Sequence, residues 1–188
     1  VLSEFKEYLQ TVGQDQNPLY DDWNLLKYCR ARKFVLDDVI KMWDAYIKWR
    51  KDNAIDNLFD WSDLTFSRMT MPSFIEEVII CTDKWNRPVV YQCFADLDEK
   101  KLLQVTEHQY LKHTAYKMEV FNHIVLPILS KLYNCRVEQM TLIVGLKGIS
   151  LGVVSNSRVR SYISKATEIG NIYYPEALAK TFIINSPW

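Results

Sequence analysis

Glycine is scarce in this chain, five residues in 188, and none of them builds a P-loop or a GxGxxG turn. Loops that cradle a nucleotide's phosphates on successive backbone N–H groups are therefore not expected. Cysteine is equally sparing. Cys29, Cys81, Cys93 and Cys135 lie far apart without a CxxC pair, which argues against a zinc site or a small disulfide framework and for a reducing compartment. Charge of one sign is not in excess: 23 Lys and Arg stand against 23 Asp and Glu, so no global field draws the chain to nucleic acid, and a basic patch must be local. No apolar run approaches the ~18 residues of a membrane span, and no signal peptide is visible. The three histidines, His108, His113 and His123, are spaced by five and ten residues on one predicted helix, the wrong intervals for two metal ligands on one face. Neither a metal site nor a nucleophile elbow nor catalysis is expected.

Aromatic residues are plentiful, 13% of the chain with six Trp and eleven Tyr, which suits a large apolar interior or pocket. The length allows one domain that buries roughly 70% of its unfolded surface. In chain order, Leu2, Phe5 and Leu9 mark a first helix capped by Ser3 and ended by Gly13. A second begins at Asp21 or Asp22, with Trp23, Leu26 and Cys29 on one side and Lys27, Arg30, Arg32 and Lys33 crowding its end. Those cations are either a solvated helix terminus or an anion site. Asp37 or Asp38 caps a third, on which Val39, Ile40, Trp43, Tyr46, Ile47 and Arg50 form a stripe. A connecting region spans Asp60 to Pro72. Residues Glu77–Cys81 and Pro88–Phe94 predict a hairpin, although Trp85-Asn86 lacks the glycine of the tightest turns. Thr106–Leu132 is a long helix with Leu111, Ala115, Met118, Phe121 or Asn122, Val125, Leu129 and Leu132 on one face, kinked or divided at Pro127.

The stretch Gln139–Trp188 organises the rest. Two short β-branched runs, Thr141–Val144 and Thr181–Ile184, each end in strand breakers, Gly145 and Gly148 or Pro187, and the chain between them has room for one helix. That is a βαβ unit, hence two parallel strands with a right-handed crossover, with Lys147, Ser150 and Ser186 beyond the strands' carboxyl ends, where ligands gather on such sheets. The predicted fold is α/β: an N-terminal helical lobe over 1–55, then a mixed sheet with βαβ crossovers over 70–188. The lack of an initiator Met and the stop after a strand-like run predict a fragment.

Three stretches together resemble the CRAL-TRIO lipid-binding family, particularly its phosphatidylinositol-transfer branch: DDWNLLKYCRARKF (21–34) with a helix closing on Trp49-Arg50-Lys51, TDKWNRPVVY (82–91), and LKGIS (146–150) with YYPEALAKTFIINSPW (173–188). The resemblance implies a sheet that floors a deep apolar cavity, closed by a mobile gate expected beyond Trp188. It implies a phosphoinositide headgroup site at Arg32 and Glu176, the glutamate accepting from inositol hydroxyls or orienting Arg32. Glu176 after Pro175 also reads as a first-turn acid of a helix. Some members hold phosphatidylcholine through a serine and a threonine. Met140 and Leu142 stand at those positions, and Gly145 where an aspartate is usual, so that route is not expected. Lys147 and Ser150 join the ligand-binding candidates, with turn-shaping as the plainer role. Val89, Tyr91, Met118, Phe121, Val125, Met140 and Leu142 are the candidate cavity lining, with ordinary core as the alternative.

The function these readings imply is a soluble lipid-binding and transfer module. Its ligand would be a phosphoinositide or another hydrophobic molecule, with no cofactor besides a bound lipid. The partners would be that lipid, a transient membrane surface and a protein assembly, and the location the cytoplasm, peripheral to membranes. The alternative is a scaffold or subunit that keeps the fold without transfer.

Overall fold

The computed structural model describes residues 1–17, 19–58, 76–94, 97 and 99–186. The predicted connector at Asp60–Pro72 and the strand breaker Pro187 lie outside the described residues. Three helices open the chain: α1 (Leu2–Thr11), α2 (Asp22–Ala31) and α3 (Leu36–Asp52), followed by a single 3₁₀ turn at Ile55–Asn57. Helix α1 starts two residues earlier than a Ser3 cap requires: Val1 is its N-cap, Ser3 lies inside, and Gly13 follows its end at φ +68°. Asp21 caps α2 by accepting from the N–H groups of Trp23 and Asn24. The buried face of α2 is Leu25, Tyr28 and Cys29, so of Trp23, Leu26 and Cys29 only Cys29 is buried, and Trp23 is half exposed. In α3 the N-cap is Val35, so Asp37 and Asp38 are first-turn acids favoured by the helix dipole instead of caps. Phe5, Leu9, Leu25, Tyr28, Val39 and Trp43 interlock as one core, with Trp43 edge-on to both Phe5 and Tyr28.

The sheet has the order β1-β2-β3-β4, with β1 (Glu76–Thr82), β2 (Pro88–Cys93), β3 (Met140–Gly145) and β4 (Leu178–Ile184). β1 and β2 form the expected antiparallel hairpin, and β2, β3 and β4 run parallel. At the hairpin turn Asn86 takes the left-handed conformation, φ +62°, in which asparagine substitutes for the missing glycine. Pro88 starts its strand, where its lack of an N–H costs least.

Between β2 and β3 come a short α4 (Glu99–Leu102), α5 (Glu107–Val120), a π-helical turn (Phe121–Val125) and α6 (Leu126–Leu132). Thr106 and Gln109 form a capping box at the start of α5. The predicted division at Pro127 appears as a π turn just ahead of it, and the proline sits in the first turn of α6, where a missing N–H is harmless. The buried positions of this stretch are Tyr110, Ala115, Glu119 and Leu126. The predicted stripe is thus offset, and Leu132 is 68% exposed. After β3, α7 (Leu151–Ser155) and α8 (Ser157–Tyr173) complete the crossover to β4, and α8 lies against both α5 and α3.

Candidate functional site

A buried ion cluster ties the helical lobe to the rest. Arg50, near the end of α3, donates through Nη1 to Glu119 Oε1 on α5 at 2.8 Å and to Tyr46 Oη at 2.9 Å, and through Nε to Asp56 at 2.8 Å. Tyr174 Oη donates to the same Glu119 oxygen at 2.7 Å, and His123 in the π turn reaches Oε2 at 3.3 Å. Glu119 is 2% exposed. Burial alone would push its carboxyl up. The hydrogen bonds from His123, Arg50 and Tyr174, with the Arg50 charge, overcome that and bring it down to about 2. Sequence reasoning placed Arg50 on an apolar stripe but passed over Glu119. The signal was present in both helices, since a lone acid on one apolar face and a lone base on another satisfy each other when the faces meet.

The Tyr-Tyr-Pro-Glu segment is held at this joint residue by residue. Tyr173 stacks on Trp49 of α3 with centroids 4.2 Å apart and planes 8° from parallel, Tyr174 serves Glu119, and Pro175 is buried. Glu176 then turns the chain toward β4 at φ +59°. It belongs to a turn and does not start a helix, which corrects the first-turn reading. Arg32 sits just past α2, half-buried, with Nη1 on the Ala31 carbonyl at 3.3 Å. The next residues, Lys33 and Phe34, both adopt positive φ, which ends α2 sharply.

Residues 138–139 bridge these two neighbourhoods. Glu138 pairs with Arg30 in the last turn of α2 at 3.2 Å, and Gln139 Nε2 donates to the Glu176 carbonyl at 3.0 Å. Among the described residues, the side chains of Arg32 and Glu176 form no ion pair with each other. Both residues are half-buried.

Lys147 is exposed in the turn after β3, and Ser150 caps α7 by accepting from the Val153 N–H at 3.2 Å. Ser150 also stands at the centre of Gly148-Ile149-Ser150-Leu151-Gly152, which does carry GxSxG spacing. The expectation that no such pattern exists is corrected at the level of letters. A working elbow strains its serine and presents the hydroxyl to a histidine. Here Ser150 has ordinary extended angles, φ −80° and ψ 148°, its oxygen is engaged in the cap, and all three histidines belong to α5 and the π turn.

Residues paired across a sheet share a face, and successive residues alternate. Val78, Tyr91, Ile143 and Phe182 are consecutive partners and therefore make one apolar row across all four strands. Its outer members are open: Val78 is 52% exposed and Phe182 50%. Cys93, Gly145 and Ile184 form the next row on this face. A Cβ on Gly145 would lie 2.3 Å from Tyr91 Oη, so the glycine is what lets the phenol lie against the neighbouring strand. Val89 shares the face of Tyr91, whereas Leu142, the partner of Val90, points to the opposite side. The seven candidate lining residues accordingly do not surround one space. Met140 is buried, and Met118, Phe121 and Val125 are half-buried along α5 and the π turn. A cavity of about 290 Å³ does exist between α3, α5 and α8, walled by Trp49, Leu111, Ile169 and Tyr173, but it contains none of the seven.

With this geometry in place, the comparison with known proteins defines the class. The CRAL/TRIO domain pattern matches residues 77–188, and that of the CRAL/TRIO N-terminal domain matches residues 1–45. The chain belongs to the CRAL/TRIO family. It is 32% identical to the SEC14 cytosolic factor of Eremothecium gossypii over 189 aligned residues, covering 100% of this chain and 59% of the relative. It is 30% identical to the phosphatidylinositol/phosphatidylcholine transfer protein SFH7 of Arabidopsis thaliana, covering 90% of this chain and 31% of that one. The crystal structure of Sfh5 superposes with a TM-score of 0.64 at 18% identity over 93% of this chain and 59% of that chain, a likeness of fold. The chain spans about three-fifths of the length of the SEC14 factor it matches.

Proposed function

We propose that this chain is the lipid-holding part of a phospholipid carrier. The observation that supports the reading is the apolar row Val78, Tyr91, Ile143 and Phe182, an uninterrupted strip across the sheet whose ends are open to solvent. Contiguous exposed apolar surface of this kind marks a ligand or partner site. A phospholipid's acyl chains, with roughly 30 methylenes at about 0.8 kcal/mol each, carry on the order of 24 kcal/mol of transfer free energy from water. A bilayer already supplies that stabilisation, so a carrier extracts the lipid near neutrality when its floor is equally apolar.

The headgroup falls to Arg32 and Glu176. A guanidinium offers phosphate a two-pronged fork, and a carboxylate accepts from sugar hydroxyls. A phosphoinositide suits this pair. Phosphatidylcholine held through side-chain hydroxyls on β3 does not, because Met140 is buried and apolar and Leu142 faces away from the row. Lys147 and Ser150 remain secondary candidates at the end of β3. The reading contains no catalytic step, and the carrier works in the cytosol between membrane surfaces. The deciding experiment is native mass spectrometry of the full-length protein after incubation with mixed liposomes. The expected result is a one-to-one complex enriched in phosphoinositide and abolished by Arg32→Ala with Glu176→Ala. Recovery without any bound lipid overturns the proposal.

A further inference from the structure

The β1–β2 hairpin ends in a tryptophan surrounded by cations. Trp85 is 52% exposed, and Lys84 Nζ, the Arg87 guanidinium and Lys180 Nζ lie 4.2, 4.5 and 5.1 Å from its ring centroid. Lys180 comes from β4 at the far edge of the sheet, so the cluster is assembled by the fold and not by local sequence. The acid in the same turn is directed inward. Asp83 Oδ1 accepts from the backbone N–H of Trp85 and Arg87, and Oδ2 from Arg87 Nε and Thr141 Oγ1. Among the described residues Lys84 and Lys180 have no carboxylate partner, so the tip presents net positive charge.

The patch extends sideways. Asn86 Nδ2 donates to Cys135 Sγ at 3.5 Å, and the next residue, Arg136, lies 5.6 Å over the ring of Trp23, itself 49% exposed, while the Arg136 charge is matched by Glu138 at 3.3 Å and Asp21 at 3.9 Å. Two exposed indoles, each under a cation, thus border one end of the molecule. A tryptophan is most stable at the boundary between water and acyl chains, and lysine or arginine beside it meets anionic headgroups. Lys84 and Trp85 are the exposed residues of the turn, which suits entry into a headgroup layer and not the clasping of a chain.

We propose that this end, with Trp85, Lys84 and Lys180 at its centre, is a docking surface for an anionic lipid bilayer. The choice of a bilayer as partner rests on the carrier reading. The test is cosedimentation of the full-length protein with vesicles of phosphatidylcholine alone and with roughly a quarter phosphatidylserine, with and without brominated acyl chains. Anionic vesicles bind it, and binding weakens about fivefold for Lys84→Ala or Lys180→Ala and about 25-fold for both together. Raising the salt weakens it further. Trp85→Ala lowers binding and removes the part of the fluorescence quenching that brominated chains cause. Variants that bind like the wild type overturn the proposal. So does quenching that Trp85→Ala leaves unchanged, the pattern of plain polyanion attraction. The lipid load of these variants, read by native mass spectrometry, stays at the wild-type level. A wild type that carries no lipid but still docks through Trp85 defeats the carrier reading and leaves the surface standing.

Discussion

Arg50 and Glu119 are the residues on which the joint between lobe and sheet depends. Removing one partner leaves the other charged and buried, so Arg50→Met should cost about 3–5 kcal/mol in urea unfolding. The double change Arg50→Met with Glu119→Leu should cost less than the single one, because no unpaired charge remains. An additive double mutant would contradict this. Acid should act on the same region. Burial, with Lys117 nearby, lowers His113 from 6.5 to about 4, so the folded protein keeps it neutral while the unfolded chain takes up a proton. That contribution is complete above pH 6.5 and is lost as the pH falls toward 4. Glu119 has a depressed value as well, so its contribution is present above 4.5 and fades toward 2. Stability should therefore decline in two stages below neutrality, the first of them on the order of 3 kcal/mol at most and absent in His113→Phe. A urea midpoint that stays flat from pH 7 to 4 would refute the assignment.

Among the elements, α3 and α8 are joined by the Trp49–Tyr173 stack, and Tyr173→Ala should loosen them by about 2 kcal/mol. Faster amide exchange in the last turns of α3, with α1 unchanged, is the expected signature, and uniform exchange would contradict it. The same elements show what the sequence discloses. The β-branched runs placed β3 and β4, and Pro127 placed the break ahead of α6, because strand length and a missing N–H are local properties. Which side of a helix is buried depends on its neighbours, and that is why α2 buries Leu25 and Tyr28 with Cys29 while Trp23, grouped with Cys29 by spacing, is half exposed. Glu176 was assigned to a helix start from Pro175 alone, yet the chain must reverse there to enter β4, and the reversal requires its positive φ.

For the whole molecule, a continuous apolar run reveals a strand but not what covers it. β4 was legible as a strand, whereas its exposure and the register that aligns Phe182 with Ile143, Tyr91 and Val78 exist only in the assembled sheet. The family motifs marked Arg32 and Glu176 by letter, and the structure adds that Glu138 pairs with Arg30 and Gln139 donates to the Glu176 carbonyl. The central claim concerns one face of that sheet, and two adjacent exposed residues separate it from a general effect of apolar surface. Phe182 belongs to the row and Ile183, 64% exposed, to the opposite side. Native mass spectrometry of full-length Phe182→Asp and Ile183→Asp after liposome exposure measures this directly. The account predicts that the first loses its bound lipid and the second keeps it. Equal occupancy in the two variants, or loss in both, would contradict it.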